Sequence, residues 1–415
     1  MHRAEGRLTP VRIAILSVHT CPLITPGSRR EAGGMNVYLN MLTHQLASRG
    51  IAVDVFTRWH DPSEPEVVDA APGLRVIHIE AGGRGPQPDR PLPPLTGSVT
   101  EQILAFQRRE GLVYDLVHAH YWLSGMVGLE LKQRWGVPLI AMFHTLGAVK
   151  NQARAGEHEP LGRIAAEHQV IAGADALVAA TEDERDLMAR LYDADVSHVQ
   201  VIPLGVDTST FHPLEKQLAR QALGLNGERL LLFVGRPDPL KGLEVLISAA
   251  SQLDDPDGVR VLVVGGDGGS EEGFQRAHDL AAQLDMTERV DYHGSVAHDR
   301  LPYYYSAADV CVIPSYYESF GLVALESMAC GTPVVAARVG GLRSTVQDGE
   351  TGYLIPWHCP EPYAERLELL LDNEMLRRAL GTQAQAAAQS YSWNAVTDQI
   401  EALYERVLHT NPTGC

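Results

Sequence analysis

The sequence predicts a doubly wound, mostly parallel α/β architecture divided over two domains. Short β-branched runs alternate with longer amphipathic stretches along nearly the whole chain, the pattern of helices laid over parallel strands. These runs fall into two series separated by a Pro-bounded, turn-rich segment. The length, 415 residues, exceeds what one domain of about 150 residues accounts for. With 45% hydrophobic and 21% charged residues, the chain has the apolar material for two large cores.

The first series of predicted strands is Arg12 to Val18, Ile51 to Thr57, Leu74 to Ile79, Asp115 to His118, Pro138 to Phe143, Ala176 to Ala180 and Val199 to Ile202. The second is Leu230 to Val234, Arg260 to Val264, Arg289 to Tyr292, Val310 to Ile313 and Pro333 to Ala336. The segment from Pro203 to Pro213 reads as a linker, since proline and clustered turn residues punctuate regular structure. A first domain is therefore expected at 1–205 and a second at 206–392. Apolar residues at helical spacing in the tail, 393–410, predict a terminal helix that crosses back onto the first domain. The segment Pro86 to Pro94 holds five prolines in nine residues, which cannot donate regular ladder bonds; an exposed loop is expected there, with a role as a cover over a ligand left open.

Composition excludes several functions. Lys plus Arg number 34 against 52 Asp plus Glu, a formal charge of −18, and so negative a body repels a polyanionic backbone; a nucleic-acid partner is not expected. Apolar runs such as Val261 to Val264 are far shorter than the ~18 residues of a transmembrane span. The five cysteines (21, 311, 330, 359 and 415) form no C-x-x-C pair and cannot all be paired, and no apolar signal core precedes the first strand. A reducing cytoplasm is the expected location.

Three constellations carry chemistry. In Glu31-Ala-Gly-Gly-Met-Asn-Val-Tyr38, Gly33 and Gly34 stand at the entrance of an apolar helix. There backbone can approach a ligand closely, and unsatisfied amides favour an anion, although a tight turn would use glycines in the same way. In Gly235-Arg-Pro-Asp-Pro-Leu-Lys-Gly242, Arg236 and Lys241 follow a strand, at the edge where open α/β sheets bind ligands, and two cations there suit a diphosphate. In Pro314-Ser-Tyr-Tyr-Glu-Ser-Phe-Gly-Leu-Val-Ala-Leu-Glu326, a helix beginning near Ser319 to Gly321 would aim its first amides at an anion, with Glu318 at its entrance and Glu326 about two turns inside. Carboxylates beside an anion site suit sugar hydroxyls.

Other signals are weaker. Gly265-Gly-Asp-Gly-Gly269 lacks the full dinucleotide fingerprint, which argues against a nicotinamide dehydrogenase. Asp193/Asp195 and Asp255/Asp257 match a two-carboxylate metal pattern by letter only, and no H-E-x-x-H occurs; no metal site is expected. His118, His120 and His144 lie at strand ends, where a ligand role and a structural one are both open.

In this order, the pieces resemble the retaining GT-B glycosyltransferases of the fourth sequence family over essentially the whole chain. The runs Gly33 to Tyr38, Tyr114 to Gly125, His144 to Lys150, Glu318 to Leu322 and Ala337 to Gly341 look closest to the inositol-phosphate glycosyltransferases of mycothiol synthesis, with sucrose-phosphate synthases near. Glu318 and Glu326 form the family's E-x7-E motif. The resemblance implies two Rossmann-like domains facing each other across a cleft, and a UDP-linked hexose or N-acetylhexosamine as donor. It implies that Gly33 and Gly34 face the donor diphosphate, that Arg236 and Lys241 clamp it, and that Glu326 binds the ribose. Glu318 and the amides of Phe320, Gly321 and Leu322 would hold sugar and diphosphate, and His144 a sugar hydroxyl. Tyr121, Thr145, Lys150 and Arg163 would bind a phosphorylated acceptor such as inositol phosphate. Fructose 6-phosphate or an unphosphorylated acceptor are the alternatives within the class, and a sugar-nucleotide-binding protein without turnover is the alternative outside it. The stretch from Gly82 to Pro94 departs from the mycothiol enzymes, and Ile164 stands beside Arg163 where they carry paired arginines. No resident cofactor is required, Mg2+ is left open but not implied, and a homodimer is compatible with the resemblance. Front-face displacement, with the departing diphosphate accepting the acceptor's proton, is the expected mechanism.

Overall fold

The computed structural model describes residues 11–24, 33–84, 95–153, 159–225, 227–236, 238–255, 258–266 and 272–410. The expected loop Pro86 to Pro94 lies outside them, as do Asp257 and the residues Asp267 to Gly269 of the glycine-rich run. The chain divides into two compact units: one runs to Ile202 and resumes at Val396, the other spans Pro203–Ala395.

The first unit contains β1 (Arg12–Ser17), α1 (Gly34–Ser48), β2 (Ala52–Arg58), β3 (Val67–Ala71), β4 (Leu74–Ile79), α2 (Thr96–Glu110), β5 (Leu116–His120), α3 (Trp122–Trp135), β6 (Leu139–Met142), α4 (Gly147–Ala153), α5 (Leu161–Gly173), β7 (Ala176–Ala179), α6 (Glu182–Tyr192) and β8 (Val199–Val201). Its sheet runs β3-β4-β2-β1-β5-β6-β7-β8. Every neighbouring pair is parallel except β3 with β4. Ile13, Ala14, Ile15 and Leu16 on β1 are fully buried, because helices cover both faces of a parallel sheet. From β1 the order passes to β2 on one side and β5 on the other. That reversal opens a crevice at the carboxyl ends, where such sheets bind ligands.

The second unit contains α7 (Lys216–Ala222), β9 (Arg229–Val234), α8 (Leu243–Ala250), β10 (Val259–Val264), α9 (Glu272–Gln283), β11 (Val290–Tyr292), α10 (Leu301–Ala307), β12 (Val310–Ile313), α11 (Leu322–Ala329), β13 (Val334–Ala337), α12 (Leu342–Thr345), β14 (Gly352–Ile355), α13 (Pro360–Asp372) and α14 (Glu374–Ala388). Its sheet, β11-β10-β9-β12-β13-β14, is parallel throughout and reverses between β9 and β12. The core packs β9, β10 and β12 against α8, α13 and α14 through Leu231, Val261, Leu246, Leu367 and Leu380. The last helix, α15 (Trp393–Thr410), belongs to the first unit from Val396 onward; its Tyr404 hydroxyl meets His118 Nδ1 at 2.8 Å.

The described strands exceed the predicted ones by two. β3 is a half-buried edge strand returned on β4 through Pro72 and Gly73, and its short mixed pattern hides among turn residues. β14 has only four residues and starts on glycine, which weakens any strand signal. Gly352 is required by packing there, since a Cβ would stand 2.2 Å from the Val334 carbonyl oxygen. β5 also runs two residues further than its sequence suggests, placing His118 and His120 inside the strand.

Candidate functional site

In the second unit, two loops at the β9/β12 reversal are tied together. After β9 comes a 3-10 turn, Pro239–Lys241, capped by Asp238, whose side chain accepts from the Leu240 amide at 2.9 Å. The Leu240 carbonyl in turn accepts from the Tyr316 amide at 2.8 Å, beyond β12. This tie brings Lys241 Nζ to 2.6 Å from Glu318 Oε2 in a partly exposed ion pair. Arg236 is exposed at the same edge and forms no ion pair with the described residues.

The loop from Glu318 into α11 is clamped from below. The Gly341 amide donates to the Glu318 carbonyl at 2.9 Å, and Thr345 Oγ1 to that of Phe320 at 2.9 Å. A Cβ on Gly340 would lie 2.1 Å from the Glu318 carbonyl oxygen and one on Gly341 2.3 Å from Phe320 Cα, so only glycine permits this contact. Phe320 is buried, and Gly321 forms the helix cap in the left-handed region at φ 95°. α11 therefore begins at Leu322, later than expected, and Glu326 sits little more than one turn inside. The amides at the start of α11 have no intrahelical acceptor and face an anion favourably.

Glu326 is buried, with Oε2 accepting from the Tyr305 hydroxyl at 2.7 Å and Oε1 3.2 Å from His298 Nε2. Burial opposes protonation of His298, yet the hydrogen bond and charge of Glu326 prevail and raise its pKa above the ordinary value. His298 and Tyr305 carry no sequence signal as site residues; nothing in local spacing sets apart a histidine in a turn or a tyrosine on the buried side of a short helix.

In the first unit, α1 starts at Gly34 with Gly33 as its cap. Asn36 fixes the entrance: its Oδ1 accepts from the Gly33 amide at 3.1 Å while Nδ2 donates to Thr20 Oγ1 and the Cys21 carbonyl. A Cβ on Gly33 would meet no described residue within 4 Å.

Near the carboxyl ends of β5 and β6, His144 and Tyr121 hold positive φ of 61° and 75°. Such backbone costs of order 1–3 kcal/mol per residue and persists where surroundings impose it, commonly at functional sites. His144 Nε2 lies 3.1 Å from His120 Nδ1, and the Tyr38 ring packs against both imidazoles. Burial depresses the His144 pKa to about 3 and does the same to His118, where the charge of His144 adds to it; His120 is pushed well below the ordinary value. At neutral pH all three are uncharged.

Tyr121, Thr145, Lys150 and Arg163 are brought together. The Arg163 guanidinium lies 4.9 Å over the Tyr121 ring and donates to the Thr145 carbonyl and hydroxyl at 2.8 and 3.2 Å. It also pairs with Glu167 at 2.8 Å and Glu159 at 3.0 Å, and Lys150 shares Glu159 at 3.0 Å. The pairing of these cations with local carboxylates is therefore real. Glu167, fully buried, accepts in addition from the Gly147 amide and the Tyr192 hydroxyl. Burial works against ionising Glu159, but Arg163 and Lys150 overcome it and lower its pKa.

Two neighbours were missed: His19, whose ring packs 4.7 Å from Tyr121, and Arg58 at the end of β2. Burial, then the charges of Arg163, Lys150 and Arg58, depress the His19 pKa to about 4. The signal for both was position alone, just past or at a strand's carboxyl end.

The paired aspartates have local duties. Asp193 closes α6 in the left-handed region, Asp195 caps the next turn through the Ser197 amide, and Asp255 pairs with Arg229. Among the described residues no group of three or more His, Cys, Asp or Glu side chains is arranged to hold a metal ion, and no helix is long and apolar enough to cross a membrane.

Comparison with known proteins follows this division. Residues 32–210 match the family model described as Glycosyltransferase Family 4, and residues 215–387 match that described as Glycosyl transferases group 1. The chain is 42% identical to the D-inositol 3-phosphate glycosyltransferase of Xylanimonas cellulosilytica, covering 97% of this chain and 98% of that one. It is 44% identical to D-inositol 3-phosphate glycosyltransferase 2 of Catenulispora acidiphila, covering 96% and 95%. Among solved structures, a sucrose-phosphate synthase from Thermosynechococcus elongatus superposes with a TM-score of 0.89 at 35% identity, covering 96% of this chain and 100% of that chain.

Proposed function

Because the chain belongs to the family 4 glycosyltransferases of the GT-B fold and is a nucleotide-sugar-dependent transferase, we propose that it moves a hexose or N-acetylhexosamine, with retention, from a UDP-sugar to a phosphorylated polyol such as an inositol phosphate. The donor reading rests on the second unit. Arg236, Lys241 and the first amides of α11 gather positive charge at the β9/β12 reversal, which suits a diphosphate. Glu326, fixed by Tyr305 and His298, has lone pairs left to accept ribose hydroxyls. Glu318 keeps its carboxylate beside Lys241, in reach of a sugar hydroxyl.

The observation that carries the acceptor reading is the cation cluster of the first unit. Lys150 and Arg163 already hold one anion, the carboxylate of Glu159, beside the hydroxyls of Thr145 and Tyr121. A phosphate requires the same partners. The names of the relatives, which specify D-inositol 3-phosphate, support this acceptor. Likeness to the sucrose-phosphate synthase supports a second reading, transfer to fructose 6-phosphate, which uses the same phosphate locus.

The chemistry follows from charge. As the bond from the anomeric carbon to the diphosphate oxygen breaks, negative charge grows on the leaving group, where Arg236, Lys241 and the α11 amides oppose it. The acceptor oxygen bonds to the anomeric carbon on the same face, and its proton passes to the departing phosphate oxygen. His144, uncharged at neutral pH, contributes a hydrogen bond to a sugar hydroxyl rather than a proton. These cations supply the electrostatic help, so no resident cofactor is needed, and a chelator should leave turnover unchanged. The buried thiols of Cys311 and Cys330, outside any disulfide, accord with a reducing cytoplasm.

A screen of nucleotide sugars by released nucleoside diphosphate, crossed with inositol phosphate, fructose 6-phosphate and inositol, tests both substrates. Turnover with inositol phosphate is expected; preference for unphosphorylated inositol would overturn the acceptor assignment. Lys150→Ala should raise KM for the phosphorylated acceptor and leave donor hydrolysis unchanged. Arg163→Ala is a poor probe, because it strands buried Glu167.

A further inference from the structure

The second unit has a cavity of about 700 Å³ at the edge of its sheet opposite the donor residues. It is lined by residues that precede strands: Arg229 at the start of β9, Asp309 just before β12, and Thr332 and Pro333 just before β13. Arg236 and Glu318, by contrast, follow the carboxyl ends of β9 and β12.

Cations of this cavity converge on one buried carboxylate. Asp309 is buried and receives Lys216 Nζ at 2.5 Å, Arg220 at 2.9 Å and Arg377 at 3.4 Å, as well as the Leu230 amide at 2.8 Å. Three cations thus share one carboxylate. Around this group Arg378 pairs with Glu374, Arg229 lies between Asp255 and Asp372, and Glu228 shares Arg260 with Asp291. The excess of two positive charges is therefore local to Asp309, because Arg229 and Arg260 farther out face four carboxylates, Glu228, Asp255, Asp291 and Asp372. Burial lowers the Lys216 pKa, and the neighbouring charges of Arg220 and Arg377 work in the same direction despite Asp309, as expected where cations are in excess.

The arginines are also held in place. Arg220 Nε donates to the Ala307 carbonyl at the end of α10, and Arg377 Nη1 to the carbonyls of Leu370 and Leu371 near the end of α13. Fixing both forks lowers the entropy cost of binding. The volume lies in the range of small-molecule sites.

We propose that this cavity is a second anion site, taking a phosphate dianion either free or as a small phosphate monoester, with Lys216, Arg220 and Arg377 as its cations. It stands independently of the donor and acceptor assignments, being built from different residues. The test is a phosphorus NMR titration of the full chain with inorganic phosphate and with glycerol phosphate. The protein carries Lys150→Ala, which weakens the acceptor locus, and is saturated with UDP, which fills the donor locus, and the binding attributed to the cavity is the part that changes with Lys216. One saturable site is expected for at least one probe, the tighter probe identifying the source. Adding Lys216→Ala should weaken it about tenfold or more, the loss of one charge-assisted hydrogen bond, whereas Lys216→Arg should retain it. Asp309 keeps Arg220, Arg377 and the Leu230 amide in these variants, so the unit should remain folded, as an unchanged melting temperature would verify. Absence of saturable binding by both probes, or equal binding by the folded Lys216→Ala protein, overturns the proposal.

Discussion

Replacing Lys241 by alanine separates a catalytic cation from a surface ion pair. The side chain ends 2.6 Å from Glu318, and both partners are partly exposed; a pair of that kind contributes about 1 kcal/mol or less to folding. The melting temperature should therefore barely move. The loss in catalysis is larger for two reasons. One charge that opposes the growing negative charge on the leaving diphosphate disappears, worth about 2.7–4 kcal/mol, or two to three powers of ten in kcat. In addition, Glu318 becomes an uncompensated anion near that diphosphate, a repulsion of a few kcal/mol at an effective dielectric constant of about 20. Released nucleoside diphosphate, measured under saturating donor and acceptor, reads the effect. The double variant Lys241→Ala/Glu318→Gln should fall short of the product of the two single losses, because removing the carboxylate's charge relieves the repulsion. A folded Lys241→Ala protein with turnover near that of the parent would refute the reasoning. Strict multiplicativity in the double variant would refute the coupling between the two side chains.

Further expectations concern the carboxylates and histidines. Glu326→Gln should weaken nucleoside diphosphate binding in an equilibrium titration, whereas Glu318→Gln should mainly reduce sugar transfer; equal effects on nucleotide affinity would contradict the division of roles. Glu159→Ala should lower KM for a phosphorylated acceptor, since it frees Lys150 and Arg163 from a competing carboxylate, and a raised KM would show that Glu159 positions the acceptor instead. His120→Ala should reduce kcat with little change in donor affinity, while His120→Asn, which retains a hydrogen-bonding group near His144 Nε2, should restore part of it; nitrogen NMR of labelled histidines would show the His144 tautomer redistributing in the alanine variant. Urea unfolding at several pH values tests the buried imidazoles: His19 at about 4 and His118 and His144 at about 3 bind protons only once unfolded, so stability present above pH 6.5 should fall as the pH drops towards 4. The slope is about 1.4 kcal/mol per pH unit for each proton taken up on unfolding, and a flat profile would refute the burial of neutral imidazoles.

Legibility in the sequence followed locality. The constellation proposed for the donor is legible because each part is a contiguous device: a strand, a tight loop and a helix start. Glu318, Phe320, Gly321 and Leu322 share one such loop, and Arg236 and Lys241 another, so the chain itself fixes most of their geometry. What stayed hidden was supplied by distant segments. Gly340 and Gly341 hold the Glu318 loop from beneath through backbone contacts, while His298 and Tyr305 fix Glu326 from α10 and the turn before it. No spacing rule announces such partners, since they are set by how α10 and α11 pack. The acceptor side shows the same limit more strongly. Tyr121, Thr145, Lys150 and Arg163 come from different loops and helices, and their electrostatic meaning depends on Glu159, Glu167, His19 and Arg58, which the fold adds. Residue type alone left Lys150 and Arg163 divided between binding a phosphate and pairing with local carboxylates. In the reading proposed above the two cations take different parts. Arg163 is almost wholly buried and anchors Glu167, which suits a support for the cluster, whereas Lys150, a quarter exposed and paired among the described residues with Glu159, is the cation we propose to exchange a carboxylate for a phosphate.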